Sequence, residues 1–387
     1  MSNCGVTDKV TLSVKLRVLV SGIIIPEMLT IDEQIAEIEA VLRKTPHHKA
    51  TNGFIGAMRA KIARLKDREI ESSTKGGGGG GGGFTVKKQG DATVVLVGPP
   101  SAGKSTLINQ LTNAESKVAP YAFTTVTVVP GMLKYNQAYI QILDIPGLIE
   151  GAKEGKGRGR EVLSVAKGAD LLLIMTDVKR VGAFAHMYKE LTGSGIRINQ
   201  DPPKVLIDLK LSGGLDIFSN FKQTIDKEVI KEIAREFGIK NGTITLQEKI
   251  TQERLFDAFS PNRVYVPAIF VINKVDTDPK YKDEIQGKFI AISAGIGEGI
   301  EELKKEIWKT LKFVTVYLVE PDIAPDFTNP IVMKDGDTLL DVAIKIGSEF
   351  AKSKKMVKIW GKNAKFPEQE VSLSTPVAEG MQIRFVA

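Results

Sequence analysis

The chain has 387 residues, more than one ordinary domain accommodates, so length alone implies two or three domains. Hydrophobic residues make up 42% and charged residues 26%, the balance of a soluble globular protein, and no apolar run approaches the roughly 20 residues of a membrane-spanning helix. The single cysteine, Cys4, excludes an internal disulfide and a cysteine-based zinc site, and His47, His48 and His186 are too scattered to form a metal cluster. Lys plus Arg exceed Asp plus Glu by 53 to 46, a net +7 that permits RNA or phosphate-rich partners without requiring them.

Over residues 1–27, Val10, Leu12, Val14, Leu16, Val18 and Val20 alternate with Thr11, Ser13, Lys15 and Arg17 at strand period. The basic residues ahead of the apolar run 18–25 imitate a signal peptide, but the run is short, Pro26-Glu27 follow it, and no A-x-A cleavage pattern is present. A disordered or loosely attached extension is expected there, with Met28 as an alternative start. Thr30-x-x-Glu33 reads as a capping box, and Ile31, Ile35, Ile38 and Leu42 follow at helical spacing. After Thr45-Pro46 a second helix sets Ile55, Met58, Ile62 and Leu65 on one face, giving a helical hairpin within 28–75. For its Arg59, Lys61, Arg64, Lys66 and Arg68 two readings stand, a solvated face or phosphate contact. Eight glycines at 76–83 predict a flexible linker over 76–90, because glycine loses the most backbone entropy on ordering.

From Asp91 short branched-residue runs at 94–97, 140–143, 171–175, 269–272 and 289–292 alternate with helical segments, the pattern of a mostly parallel α/β sheet over 91–312. The interval between the third and fourth runs is far longer than a crossover needs. Strands at 205–211 and 243–246, with helices near 224–237 and 252–259, make it a small α+β insertion over about 195–262. A last unit, 313–387, opens with a strand at 314–319, holds a helix near 339–350 and ends with a strand at 383–386. Its Lys345, Lys352, Lys354, Lys355, Lys358, Lys362 and Lys365 face one acid, Glu349, with Trp360 among them. That strip reads either as RNA contact or as a solvated lysine face over a core tryptophan.

Gly98-Pro99-Pro100-Ser101-Ala102-Gly103-Lys104-Ser105 fits G-x-x-x-x-G-K-[ST] between a predicted strand and a helix that continues through Thr106. In that setting the amides of 101–105 converge on phosphate oxygens, Lys104 reaches the β- and γ-phosphates, and the Ser105 hydroxyl binds Mg²⁺. Asp144-Ile145-Pro146-Gly147 closes another strand, with Asp144 on the water shell of the metal and the Gly147 amide on a γ-phosphate. Between them lie Thr124 and Thr125, of which Thr125 is assigned to the metal in a loop that releases on hydrolysis. Asn273-Lys274-Val275-Asp276 ends a buried strand where a base pocket belongs: the Asp276 carboxylate suits guanine N1–H and N2–H₂, Asn273 braces the loop, and Lys274 lies over the base. At Ser293-Ala294 a backbone amide is expected on guanine O6. These motifs, each at a strand end and in this order, predict a guanine-nucleotide site.

Leu148 stands where a Ras-like enzyme carries the glutamine that orients the attacking water, so no catalytic residue is assigned and unaided hydrolysis is expected to be slow. The glycine-rich, basic stretch 151–160 reads as a second mobile switch, in which Lys153, Lys156, Arg158 and Arg160 are either phosphate or RNA contacts or solvated.

The P-loop sequence, Phe123-Thr124-Thr125, Asp144-Ile-Pro-Gly-Leu-Ile-Glu-Gly151 and Asn273-Lys-Val-Asp276 resemble the Obg superfamily of GTPases. The helical hairpin, the polyglycine before Phe84, and Gly195-Ile-Arg-Ile-Asn199 before Pro202-Pro203 resemble its developmentally regulated GTP-binding (DRG) members in eukaryotes and archaea. The resemblance implies a P-loop GTPase domain with an S5-domain-2-like insertion. Through Asp335-Gly-Asp-Thr-Leu-Leu-Asp-Val-Ala343 and Gly380-Met-Gln-Ile-Arg384 it also implies a C-terminal β-grasp (TGS) domain. It further implies slow, Mg²⁺-dependent hydrolysis of GTP to GDP, association with ribosomes in translation, a cytoplasmic site of action, and stimulation by potassium in some relatives. Ser101 occupies the position of the potassium-holding Asn of those relatives. Eukaryotic members have stabilising protein partners. Two other readings stand beside this one: a GTP-gated scaffold with negligible hydrolysis, kept open by Leu148, and a metabolic kinase or RNA-dependent ATPase, opposed by Asp276.

Overall fold

The computed structural model describes residues 16–18, 24–26, 30–48, 51–75, 89–112, 129–144, 158–278, 287–321, 323–361 and 363–386. They form two compact units, Met1–Gly78 with Pro202–Arg263 and Gly79–Asp201 with Val264–Ala387. Among the described residues no helix is long and apolar enough to cross a membrane.

In the first unit β1 (Leu16–Val18) pairs antiparallel with β2 (Ile24–Pro26). Helix α1 (Ile31–Lys44) begins at Thr30 with both arms of the capping box formed, Glu33 N–H on the Thr30 hydroxyl and Thr30 N–H on the Glu33 carboxylate. Its Ile35 and Ile38 meet Met58, Ile62 and Leu65 of α2 (Asn52–Lys75). The polyglycine run lies outside the described residues.

Helix α2 has a second apolar face that the sequence reading did not assign. Ala60 and Ala63 pack into the core of the inserted segment, and Gly56 lies against Val229 and Ile233. That segment is a three-stranded sheet in the order β8 (Val205–Leu209), β10 (Gly242–Leu246), β9 (Leu215–Ser219), backed by α6 (Lys227–Glu236) and α7 (Gln252–Phe259). Of the basic residues on α2, Arg59 is exposed, as the solvated reading has it, and donates to Gln252 Oε1 (3.4 Å), while the partly buried Arg64 donates to the Glu236 carbonyl (2.5 Å), a contact neither reading covers. The hairpin and the insertion thus share one core. The compact inserted part starts at Pro202, because β7 (Ile196–Ile198), assigned to the insertion from sequence, pairs instead with β11 (Val264–Val266) where the chain returns.

At that return lies a buried ion cluster. Arg263 donates to Asp257 (2.7 Å) and to Asp67 of α2 (2.6 Å), whose second oxygen accepts from the Ser260 hydroxyl (2.5 Å). Burial works against the charge on Arg263, but the Asp257 hydrogen bond and the Asp67 carboxylate outweigh it and hold its pKa up.

The second unit is built on a six-stranded sheet ordered β13-β12-β6-β3-β5-β4. Its members are β3 (Ala92–Val97), β4 (Val129–Tyr135), β5 (Ala138–Asp144), β6 (Leu171–Asp177), β12 (Ala268–Asn273) and β13 (Ile290–Ala291), and only edge strand β4 runs antiparallel. Every residue of β3 and β6 is buried, as a parallel strand covered on both faces requires. Helices α3 (Lys104–Thr112), α4 (Arg158–Lys167), α5 (Ala183–Gly193) and α8 (Ile300–Thr310) accompany it.

The C-terminal part is a five-stranded sheet ordered β15-β14-β18-β16-β17, formed by β14 (Phe313–Leu318), β15 (Pro330–Lys334), β16 (Met356–Trp360), β17 (Gln369–Ser372) and β18 (Met381–Val386). Its predicted single helix is two, α9 (Leu339–Ile346) and α10 (Ser348–Lys352), separated by extended backbone at Gly347. Phe313 and Val332 join the apolar core of the larger sheet, and Lys334–Asp170 (2.9 Å) and Lys345–Asp91 (2.5 Å) add ion pairs across the same seam. The lysine strip is therefore partly engaged: Lys345 meets Asp91, Lys358 meets Glu368, and Lys352 meets Glu349. Trp360 is buried beneath the Arg384 guanidinium, 5.2 Å from its ring centre, which favours the core reading of that residue.

Replacing Arg263 by Ala removes the cation that Asp67 and Asp257 share. The expected loss is about 3–5 kcal/mol of stability, read by chemical unfolding followed by far-UV circular dichroism. A loss below about 1 kcal/mol, the value of a solvated pair, would contradict a buried cluster.

Candidate functional site

The loop 98–103 joins β3 to α3 at the C-terminal edge of the sheet, where parallel α/β folds place their ligands. Two of its glycines are there for lack of a side chain. A Cβ on Gly98 would strike the Met175 carbonyl of β6, and one on Gly103, at φ +93°, would strike Asn273 Nδ2. Ser101 takes a left-handed φ of +60°.

Side chains hold the carbonyls of this loop in unbroken succession. Lys104 Nζ donates to Gly98 (3.0 Å) and Pro99 (3.1 Å), Arg180 Nη2 to Pro100 (2.9 Å), Lys274 Nζ to Ser101 (2.7 Å), and Asn273 Nδ2 to Ala102 (2.8 Å). A peptide unit whose carbonyl is turned to a donor presents its N–H on the opposite side, so successive units held this way build an anion-binding concavity. The N-terminus of α3 adds its partial positive charge.

The base motif meets the same loop. Asn273, almost wholly buried at the end of β12, uses both ends of its amide: Nδ2 on Ala102 and Oδ1 accepting from Ala294 N–H (2.9 Å). Of the two amides at Ser293-Ala294, that of Ala294 is thus engaged by Asn273, because a buried side-chain amide needs partners at both ends. Asp276 is exposed on a short 3₁₀ turn, Val275–Thr277, and its Oδ1 accepts from the Ser293 hydroxyl (2.5 Å). Lys274, at φ +63°, reaches back to the phosphate loop.

At the other side of the loop Ser105 Oγ donates to Asp144 Oδ2 (3.3 Å). Asp144 Oδ1 is buried and has no hydrogen-bond partner among the described residues. Burial raises the pKa of this carboxyl, against the charge of Lys104 and the Ser105 hydrogen bond. A hydroxyl and a carboxylate with a spare oxygen are the hard donors that Mg²⁺ takes, so these residues fit the ion. Thr106 follows, exposed, in the first turn of α3. Thr124, Thr125, Gly147, Leu148, Lys153 and Lys156 lie outside the described residues, and α4 opens at Arg158.

Sequence reasoning missed Asp177 and Arg180. Asp177 closes β6 in register with Asn273 of β12, and its Oδ2 accepts from Arg180 Nε (2.9 Å) and Nη2 (2.5 Å). Burial pushes its carboxyl up, but Arg180 and the nearby charge of Lys274 outweigh that and hold it below the usual range. The available signal was an acid ending a buried strand at the same sheet edge as the recognised motifs.

Comparison with known proteins bears on the same segments. Residues 93–208 match a family model described as "50S ribosome-binding GTPase", residues 212–313 the C-terminal region of that domain, and residues 314–387 the TGS domain. An uncharacterized GTP-binding protein of Methanocaldococcus jannaschii is 43% identical over 366 residues, 92% of this chain and 93% of that protein. Developmentally-regulated G-protein 3 of Arabidopsis thaliana is 40% identical, covering 89% of this chain and 95% of that protein. Developmentally-regulated GTP-binding protein 1 of Xenopus laevis is also 40% identical, covering 87% and 94% respectively.

If Asp276 reads the guanine edge, Asp276→Asn lowers the preference for GTP over ITP, which lacks the 2-amino donor, by about tenfold or more, the scale of a lost charge-assisted hydrogen bond. Competition binding measures this, and an unchanged preference contradicts the assignment.

Proposed function

The chain belongs to the family of developmentally-regulated GTP-binding proteins, and within it we propose a Mg²⁺-dependent GTPase that slowly hydrolyses GTP to GDP and phosphate and changes its hold on the ribosome or structured RNA with nucleotide state. The observation that carries this reading is the single edge of the sheet at which a phosphate loop with outward-held carbonyls meets the Asn273–Asp276 turn.

In this reading the loop from Gly98 to Thr106 receives the phosphates, and Lys104 exchanges the Gly98 and Pro99 carbonyls for β- and γ-phosphate oxygens. Ser105 and Thr125 would hold Mg²⁺ and Asp144 its water shell, and the ion would supply positive charge against that developing on the phosphates. Asp276, fixed by Ser293, selects guanine, while Asn273 and Lys274 tie base recognition to the phosphate loop. Gly147 and Thr125 sense the γ-phosphate, and their release after hydrolysis is the switch. Leu148 offers neither a donor nor an acceptor to water, so no residue of this chain is assigned as base. A ribosome, a stabilising protein partner or a potassium ion would complete the site; against potassium stands Ser101, which replaces the Asn that holds it in some relatives.

Ribosome association is supported by the description of the family model that 93–208 matches and by the net charge of +7. Action in translation in the cytoplasm follows from that reading. Leu148 also favours a second reading, a scaffold that uses GTP to set its conformation and hydrolyses almost none.

Turnover of GTP by the purified chain, with and without ribosomes from its source and with potassium or sodium, separates the two. The expected result is a rate below about 10⁻² s⁻¹ alone, accelerated by ribosomes. Turnover absent under every condition would replace the enzyme by the scaffold, and fast turnover alone would contradict the role given to Leu148.

A further inference from the structure

Between Gly98 and Gly103 the phosphate loop has three peptide units that carry an N–H, since the two units ahead of them have Pro99 and Pro100 as their nitrogens; of these the Ala102 N–H donates to the Pro99 carbonyl (3.4 Å). The carbonyls of those three units belong to Pro100, Ser101 and Ala102, and one side chain holds each: Arg180, Lys274 and Asn273. Lys274 and Asn273 come from the base motif. Arg180 comes from the turn after β6, which no nucleotide motif includes.

That turn is built to aim it. Its backbone carbonyl accepts from the Thr176 hydroxyl (3.0 Å), and Val178 packs on Ile272 and Val275 under the base turn. Of the two hydrogens on Arg180 Nη2, one goes to Asp177 and one to Pro100, while Nε makes a second bond to Asp177. Asp177 is itself buried at the end of β6, the strand beside the P-loop strand β3. The peptide plane that Arg180 holds leads into Ser101, whose left-handed φ persists only where its surroundings enforce it.

We propose that Arg180, oriented by Asp177, is a positioning residue that fixes the Pro100–Ser101 peptide unit with its N–H toward bound phosphate, and so sets how slowly a guanine nucleotide leaves. The proposal rests on the guanine-nucleotide reading of the site. A plain ion pair on the surface would not reach a loop carbonyl 80 residues away in sequence. Lysine in place of Arg180 carries the charge but lacks the fork that spans Asp177 and Pro100 together.

The test is the dissociation rate of a fluorescent GDP analogue from the full chain and from Arg180→Ala, Arg180→Lys, Asp177→Asn and the Arg180→Ala/Asp177→Asn double variant. Release is expected to quicken about tenfold in Arg180→Ala, by less in Arg180→Lys, and no further in the double variant than in Arg180→Ala. Preference for GDP over IDP is expected to stay at the unsubstituted value. Arg180→Ala leaves the buried Asp177 carboxylate unpaired and is expected to lower the melting temperature of the nucleotide-free protein. The double variant, which leaves no such charge, is expected to regain melting temperature while releasing nucleotide as fast, a split that a merely structural role would not allow. Unchanged release in both Arg180 variants overturns the proposal, as does slow release restored together with melting temperature in the double variant. Failure of the unsubstituted chain to bind the analogue overturns the nucleotide reading itself, a distinct result.

Discussion

A loop that is to cradle several negative oxygens must turn successive N–H groups inward, and its carbonyls must then be held from outside. In this chain that constraint organises the sheet edge. The carbonyls of 98–102 meet Lys104, Arg180, Lys274 and Asn273, which arrive from α3, the end of β6 and the end of β12. Strand order makes the meeting possible: β6 lies between β3 and β12, so both neighbours of the loop end at its level. Asn273 and Lys274 serve the loop and also lead into Asp276, so the loop and the 273–276 turn share one hydrogen-bonded frame.

Lys104 illustrates the electrostatic side of that frame. Its ammonium is buried against two backbone carbonyls, and its charge acts on Asp144, which keeps one oxygen without a partner among the described residues. A buried carboxylate oxygen of this kind costs free energy unless compensated. In the proposed nucleotide complex a divalent cation beside Asp144 would compensate it. The C-terminal β-grasp part shares the core of the same unit through Phe313 and Val332, and Asp91 and Asp170, at the starts of β3 and β6, pair with its lysines. The strands that carry the P-loop and Asp177 are therefore anchored at one end by that domain and present the site at the other.

What could be read from the sequence was local. Thr30 and Glu33 cap a helix three residues apart, the P-loop spans eight residues, and Asn273–Asp276 spans four, so each pattern states its own geometry. The parallel sheet followed from runs of buried branched residues. What escaped were contacts between distant segments with no short pattern. Arg180 reaches a carbonyl of the P-loop, Arg263 binds Asp67 across almost two hundred residues, and Ala60 of the hairpin packs into the insertion. That Asn273 accepts from the Ala294 amide is likewise visible only in the folded loop. Two acids that pair with the lysine strip near Trp360, Asp91 and Glu368, lie outside the stretch that holds the lysines.

Hydrogen exchange of the full chain with and without GDP and Mg²⁺ tests the central claim most directly, that three separate segments form one guanine-nucleotide site. The account predicts slowed exchange together at the P-loop, at 273–276 and at 177–180, with ATP in place of GDP producing none of it. Protection confined to the P-loop, or equal protection by ATP, would contradict it.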